Sequence, residues 1–216
     1  AGSMDLGFMI GPRLNAAGRL SDMSLGIEAL ITDDKARALN IAQELDALNR
    51  ERKEIEAGMQ EQALVHLELI AETDGAAIAL FDPEWHQGVI GILASRIKEK
   101  RHRPVFAFAR GDSEVADGEI KGSGRSIPGL HLRDALDLIS KRAPGLLRRF
   151  GGHAMAAGLT LAKSQLAAFE QHFSALIAEW LTPELLTDSW LSDGELSVEE
   201  FSLSLAEQLR QAGPWG

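Results

Sequence analysis

The sequence predicts an α/β fold: a central sheet containing a βαβ unit, preceded by a long connector helix. Two observations carry this. Between residues 75 and 162 four short apolar runs alternate with helical stretches, and the first two fit strand–helix–strand spacing. Such a unit makes a parallel pair with a right-handed crossover. Ahead of them, residues 33–73 place apolar side chains at helical period with a single glycine, Gly58.

Taken in order, AGSM (1–4) reads as a cloning remnant and is left out of the fold. Residues 5–32 are glycine-rich at first and turn helical near Leu25–Leu30. In 33–73, Asp33 or Asp34 supplies an N-cap, and Ala38, Ile41, Ala42, Leu45, Leu48 and Ile55 recur on one face. A helix of that length spans about 55 Å. It is too long for a compact core and is expected to bridge two bodies; the alternative is two helices broken near Gly58.

GAAIALFDP (75–83) reads as a buried strand stopped by Asp-Pro, followed by a helix from about Gln87 to Lys100 and a second strand in RPVFAFAR (103–110). EIKGSGRS (119–126) is a third strand entering a glycine turn. HLRDALDLISKRAPGLLRRF (131–150) is helical with a break at Ala143–Pro144. MAAGLTLA (155–162) is a fourth strand, and KSQLAAFEQHFSALIAEWL an amphipathic helix. Past Pro183, TDSWLSDGELS is expected to form a strand pair and VEEFSLSLAEQLRQAG a helix. The stop at PWG reads as an imposed boundary.

Composition narrows the function classes. Of 216 residues, 45% are hydrophobic and 25% charged, as in a globular protein with a sizeable core. No apolar run approaches the ~20 residues of a membrane helix, and no secretory signal is visible. With no cysteine, disulfides, thiolate metal sites and cysteine nucleophiles are excluded, and a reducing compartment fits. The net charge of −10 is unevenly spread. From Arg96 to His153 there are thirteen Lys/Arg against seven Asp/Glu, while both flanks are strongly acidic. Local field governs attraction of a polyanion, so the acidic total does not exclude a phosphate ligand.

Three glycine-bearing stretches lie at strand ends: WHQGVIG (85–91), KGSGRS (121–126) and RRFGGHAMAAG (148–158). Ligands of parallel α/β sheets gather at such ends, where bare backbone approaches an anion and N–H groups donate to it. Arg125 adds a bidentate donor beside the hydroxyls of Ser123 and Ser126, and His153 a further hydrogen-bonding group. Each has a plainer reading. GGH alone is a turn into a strand, Arg125 a surface ion pair, and His86 a satisfied polar residue beside a turn. Arg148 and Arg149 would counter a helix C-terminus, and AMAAG is packing. Their joint occurrence favours an anion site. No GxxxxGK[ST], strand-linked GxGxxG, GxSxG or short metal-ligand histidine spacing is present. Nor is there a carboxylate cluster suited to two divalent cations.

GPRLNAAGRL (11–20), WHQGVIGILASRI (85–97), GSGRS (122–126) and FGGHAMAAGL (150–159), in this order, resemble the RecJ family of single-strand-specific 5′-to-3′ DNA exonucleases. That family sits within the DHH phosphoesterase superfamily. The resemblance implies five segments: the remnant 1–4, the end of a DHH domain (5–32), a connector helix (33–73), a DHH-associated α/β domain (74–182) and the lead-in to a truncated OB-fold region (183–216). It implies that Ser123, Arg125, Ser126, Gly151, Gly152 and His153 hold the phosphate of a 5′-terminal nucleotide. Arg13, Asn15, Arg19 and His86 would line the cleft and contact DNA. The family's metal ligands, including its Asp-His-His motif, are absent from this sequence. Mn2+ or Mg2+ would therefore belong to the intact enzyme, and the chain is expected to be inactive alone. The implied setting is the cytoplasm, with DNA recombination and repair as the process. Implied partners are single-stranded DNA with a 5′ end, single-strand-binding protein and a RecQ-type helicase, with no membrane. Two alternatives stand beside this: a related phosphoesterase for short oligonucleotides or cyclic dinucleotides, and a non-catalytic nucleic-acid-binding module.

Overall fold

The computed structural model describes residues 2–69, 75–111, 118–187 and 192–212. The chain divides into two compact units, residues 1–51 with 189–216, and residues 52–188.

In the first unit a π-helical turn (Asp5–Ile10) leads into α1 (Gly11–Leu20), followed by α2 (Ser24–Ile31). The glycine-rich opening is thus helical, contrary to expectation. Pro12 falls where the π-helical turn passes into α1, and its ring removes one N–H from the helical ladder at that junction. Gly18 leaves room for Met23, whose sulfur lies 3.2 Å from where a Cβ would stand. Ala17, Ile41 and Leu45 form a small core to which Leu14, Leu25, Ala29 and Leu48 add.

Helix α3 (Lys35–Leu69) is continuous through Gly58, so the two-helix alternative falls away. Asp34, not Asp33, caps it: its Oδ1 accepts the N–H groups of Ala36 at 2.8 Å and Arg37 at 3.2 Å. At 1.5 Å per residue the helix is about 52 Å long. Its first half belongs to one unit and its second to the other.

The second unit holds a five-stranded sheet ordered β1-β2-β3-β5-β4. The strands are β1 (Ile78–Phe81), β2 (Val105–Arg110), β3 (Glu119–Arg125), β4 (Arg149–Gly152) and β5 (Ala156–Ala162). β1 and β2 are parallel and joined through α4 (Ile90–Arg101), the expected βαβ unit; the remaining pairs are antiparallel. Strand β4 departs from expectation. The helix predicted to reach Phe150 ends as α5 (Leu132–Arg142), and Arg149 starts an edge strand instead of facing a helix terminus. Pro144 and Gly145, at φ 87°, turn the chain between them.

Alternation sorts the sheet's side chains onto two faces. One presents Phe106, Phe108, Ile120, Ala157, Leu159 and Leu161 to α5 and α6 (Leu166–Trp180), whose buried residues recur at helical spacing. Phe169 and Phe173 of α6 meet Phe106 edge-on at 5.4 and 5.2 Å between ring centroids. Gly122 and Gly124 make that cluster possible. A Cβ on Gly122 would stand 2.5 Å from the Phe108 ring, and one on Gly124 2.4 Å from the Phe106 ring. The opposite face is covered by α4 along β2 and β3.

Beyond α6, a 3-10 turn (Pro183–Leu186) is clipped to the C-terminus of α4. His102 Nε2 lies 3.1 Å from the Leu185 carbonyl, a contact that places a proton on Nε2. Of the expected strand pair in 187–197, residues 188–191 lie outside the described residues, and 192–197 form no strand. A short 3-10 turn (Val198–Glu200) with a Ser197–Glu200 capping box precedes α7 (Leu203–Ala212), so that helix begins later than expected.

Two glycine substitutions test this packing in opposite directions. Gly124→Ala should lose about 1–3 kcal/mol through overpacking against Phe106. Gly58→Ala, with nothing within 4 Å of its new methyl, should gain up to about 1 kcal/mol. Urea unfolding of the two variants reads both signs.

Candidate phosphate-binding face

Register places the expected site residues in rows. Ser123 of β3 pairs with Gly158 of β5, which pairs with Gly151 of β4. Directly paired residues share a face, so Ser123, Gly158 and Gly151 line one row. Arg125 and Ala156 form the next row toward the β4–β5 hairpin; Lys121, Thr160 and Arg149 form the row on the other side. All lie on the face that carries α4. Over β5 and β4 this face is open: Gly158 and Arg149 are exposed, and Gly151, Ala156 and Thr160 half-buried. A shallow depression of about 310 Å³ follows, lined by Lys121, Gly122, Arg149, Phe150, Gly158, Leu159 and Thr160.

The side chains at the α4 edge are held in place. Arg125 donates to Ser123 Oγ at 3.2 Å and to the Gly124 carbonyl at 2.8 Å, both neutral acceptors. Gly91, in the first turn of α4, admits this pair: a Cβ there would stand 3.0 Å from both the Arg125 guanidinium and Ser123 Oγ. Lys121 Nζ donates to Gln87 Oε1 at 3.0 Å, in the loop that opens α4. His86 fixes that loop by accepting the Gly88 N–H on Nδ1 at 3.1 Å. Trp85 is buried and donates from Nε1 to Gln62 of α3 at 3.0 Å. No side chain caps the α4 N-terminus, so its partial positive charge acts on this edge of the face.

The glycines separate into two kinds. Gly152 serves the hairpin: its φ is 138°, and a Cβ would meet the Ala156 carbonyl oxygen at 2.4 Å. Gly151 and Gly158 are different. A Cβ on Gly151 would meet nothing within 4 Å, and one on Gly158 only the Gly122 carbonyl oxygen at 3.8 Å. Glycine weakens a strand interior and, where packing does not demand it, marks a place where something approaches the backbone. These two glycines follow Ser123 in one row, its ends about 9–10 Å apart.

Two expectations change. Ser126 is buried, and its hydroxyl donates to the Leu130 carbonyl at 2.8 Å. It holds the turn after β3 and is not presented to the open face. AMAAG is packing only in part. Ala157 is buried in the core, but Met155 and Gly158 are exposed. His153 sits in the hairpin, its N–H donating to the Ala156 carbonyl at 2.8 Å and its Nδ1 accepting from Met155 N–H at 3.3 Å. With Nδ1 accepting, the neutral ring carries its proton on Nε2 and can donate there.

Arg13, Asn15 and Arg19 belong to the first unit, on α1. Arg13 pairs with Asp46 of α3 at 2.8 Å and also donates to the Met9 carbonyl, which fixes α1 against α3. Asn15 is exposed. Among the described residues no three His, Asp or Glu side chains gather as a metal centre requires, so the described residues do not fit a divalent-metal site. Sequence reading did not assign Lys121, Arg149, Gly158 or Thr160 to the site. The alternation Lys121–Ser123–Arg125 was available as a signal; Arg149 needed β4 to be recognised as a strand.

The glycine sorting has a direct check by thermal unfolding. Gly158→Ala should leave stability unchanged or raise it by about 0.5–1 kcal/mol, the strand cost of glycine. Gly152→Ala should lower it by 1 kcal/mol or more, roughly the strain of a positive φ plus the backbone clash.

The DHHA1 domain family matches residues 73–179. The chain is 56% identical over 215 residues to the single-stranded-DNA-specific exonuclease RecJ of Salmonella typhimurium, an alignment covering 98% of this chain and 37% of the relative. It is 55% identical to the RecJ of Escherichia coli with the same coverage. A crystal structure of RecJ from Thermus thermophilus in complex with Mn2+ superposes with a TM-score of 0.72 at 37% identity, covering 83% of this chain and 25% of that one. The chain therefore spans little more than a third of the length of these curated relatives. Identity sustained along the whole chain, the domain match and the shared fold together show that this chain belongs to the RecJ family.

Proposed function

We propose that this chain is the substrate-binding portion of a single-stranded-DNA exonuclease that works from a 5′ end, and that its open sheet face seats the 5′-terminal phosphate. The observation that supports this most is the row Ser123–Gly158–Gly151. It joins one hydroxyl to two strand glycines whose bareness the fold itself does not require. A phosphate over Gly158 lies one strand spacing from each neighbour, within reach of Ser123, Arg125 and the α4 N-terminus. His153 donates from Nε2 at the hairpin end, and Gly152 keeps the hairpin tight beneath it. Ser126 supports the turn from below.

In this reading the protein's contribution is positional. It fixes the terminal phosphate so that the scissile bond meets metals held by residues outside those described. Two divalent ions would activate the water and stabilise the leaving oxygen. The chain alone then lacks hydrolytic activity. Arg13, Asn15 and Arg19, on α1 of the other unit, are read as further contacts to the DNA. The same proposal assigns the intact enzyme to DNA recombination and repair in the cytoplasm, where single-strand-binding protein and a RecQ-type helicase would supply and expose its substrate. The segments 5–32, 33–73, 74–182 and 183–216 are read as the end of a DHH domain, its connector, the DHH-associated domain and the approach to an OB-fold.

Fluorescence anisotropy with 5′-phosphorylated and 5′-hydroxyl oligonucleotides tests the assignment. The phosphorylated strand should bind at least tenfold more tightly, and Arg125→Gln should remove most of that difference, since a charge-assisted contact contributes about 1.5–3 kcal/mol. Equal binding of both ends with a steep salt dependence would reduce the face to generic backbone attraction. With Mn2+ and labelled single-stranded DNA the purified chain should release no nucleotides; turnover would contradict the division of labour.

A further inference from the structure

The depression on the open face is one hollow shared by two rows. Gly158 belongs to the row that begins at Ser123, and Lys121, Thr160 and Arg149 make up the next. Lys121 on β3 and Arg149 on β4 stand at the ends of this second row, about 9–10 Å apart, with Thr160 of β5 between them. Lys121 is half-buried and donates to the neutral amide oxygen of Gln87 at 3.0 Å, while Arg149 is exposed. An anion over Gly158 thus has two further cations one row away, about 7 Å along the strands. One more step along β3 stands Glu119, whose carboxylate pairs with Arg148 at 3.4 Å.

The DNA strand has no phosphate to offer this second row. A strand that ends over Gly158 leaves the face through its first sugar, and its next phosphate is the one to be cut, at metals held elsewhere. A further phosphate beside the terminal one must therefore be bonded to it directly, through an anhydride oxygen. Nucleoside 5′-diphosphates and triphosphates carry such a chain, as do strands whose 5′ end is a diphosphate or triphosphate.

We infer that Lys121, Thr160 and Arg149 bind the β-phosphate of a 5′-diphosphate or triphosphate group whose α-phosphate occupies the Ser123–Gly158–Gly151 row. The inference rests on the reading of that row as the seat of the terminal phosphate. Two phosphates joined by one oxygen lie closer together than two rows do, so the β-phosphate sits between the rows, where the long side chains of Lys121 and Arg149 reach it. Arg149 presents a planar fork to two phosphate oxygens and Lys121 a point charge. Both contacts are charge-assisted, and each is stronger than one between neutral groups. Neither row carries an aromatic side chain, so the ligand class is set by the phosphate chain and not by the base. Nucleoside polyphosphates would then compete with DNA ends for this face.

Titration calorimetry of the 216-residue chain, without divalent metal, compares thymidine 5′-monophosphate with thymidine 5′-diphosphate, and a short thymidine strand bearing a 5′-monophosphate with the same strand bearing a 5′-diphosphate. The diphosphate should bind at least tenfold more tightly than the monophosphate, the order expected of a charge-assisted contact. Lys121→Gln/Arg149→Gln should remove most of that ratio and leave the monophosphate within twofold. Arg149→Gln alone, at an exposed position, should cut the ratio about threefold and keeps the test open should the double variant unfold. Lys98→Gln/Arg101→Gln removes the same charge from the last turn of α4 and should leave the ratio unchanged. A gain for nucleotide and strand assigns the row to both ligands, and a gain for one alone assigns it to that source; each supports the site. Equal binding of monophosphate and diphosphate to wild type overturns this inference alone. So does equal weakening of both by the Lys121/Arg149 variant, or the same loss of ratio in the Lys98/Arg101 variant. Failure of both nucleotides to bind wild type overturns the terminal-phosphate reading with it.

Discussion

The bulk of the sheet is committed to one side. Phe106 and Phe108 of β2 occupy the spaces left by Gly124 and Gly122 on β3, and α6 brings Phe169 and Phe173 onto the same cluster. Burying four aromatic rings against one face drives the folding of this unit and fixes the register of β2 on β3. Slippage by one residue would turn Ser123 and Arg125 into the core and the glycines outward. The placement of every polar side chain on the open face follows from that packing.

A sheet face that is not needed for the core becomes available for binding. α4 covers its β2–β3 half and ends its first turn beside Ser123 and Arg125, with Gly91 permitting the close approach. Over β5 and β4 none of the described helices covers it in the same way, and Gly151 and Gly158 persist there at a cost in stability of about 0.5–1 kcal/mol each. The face offers a flat, backbone-lined floor with cations on its borders. The uneven charge of the chain has its physical meaning here: the excess of base between Arg96 and His153 includes Lys121, Arg125 and Arg149.

Much of this was legible in the sequence. The βαβ unit, the long helix and the third and β5 strands follow from apolar runs, breakers and period, and Asp34 acts as the cap that its position suggested. Strand β4 was not legible, because RRFGG has no apolar alternation; it forms as the edge partner that β5 recruits through a hairpin. Helix α1 was hidden for the opposite reason. Its glycines and proline read as breakers, yet Pro12 sits at the junction with the π-helical turn and Gly18 makes room for Met23. At the candidate site, residue type singled out Ser123, Arg125 and His153, and the register sets Ser123 and Arg125 in adjacent rows of one face. Residue type did not separate Ser126, whose hydroxyl is consumed by a turn, from its exposed neighbours, nor Gly152 of the hairpin from Gly151 of the open face. Those distinctions depend on tertiary partners that local pattern does not encode.

The central claim is that the half-sheet left open by α4 is an anion-binding surface. Amide chemical-shift mapping of the chain titrated with thymidine 5′-monophosphate tests it most directly. The account predicts saturable shifts at Ser123, Arg125, Gly151 and Gly158 and at the first turn of α4, with the amides of α5 and α6 unmoved. Shifts centred on the α5–α6 face, or none at millimolar nucleotide, would contradict it.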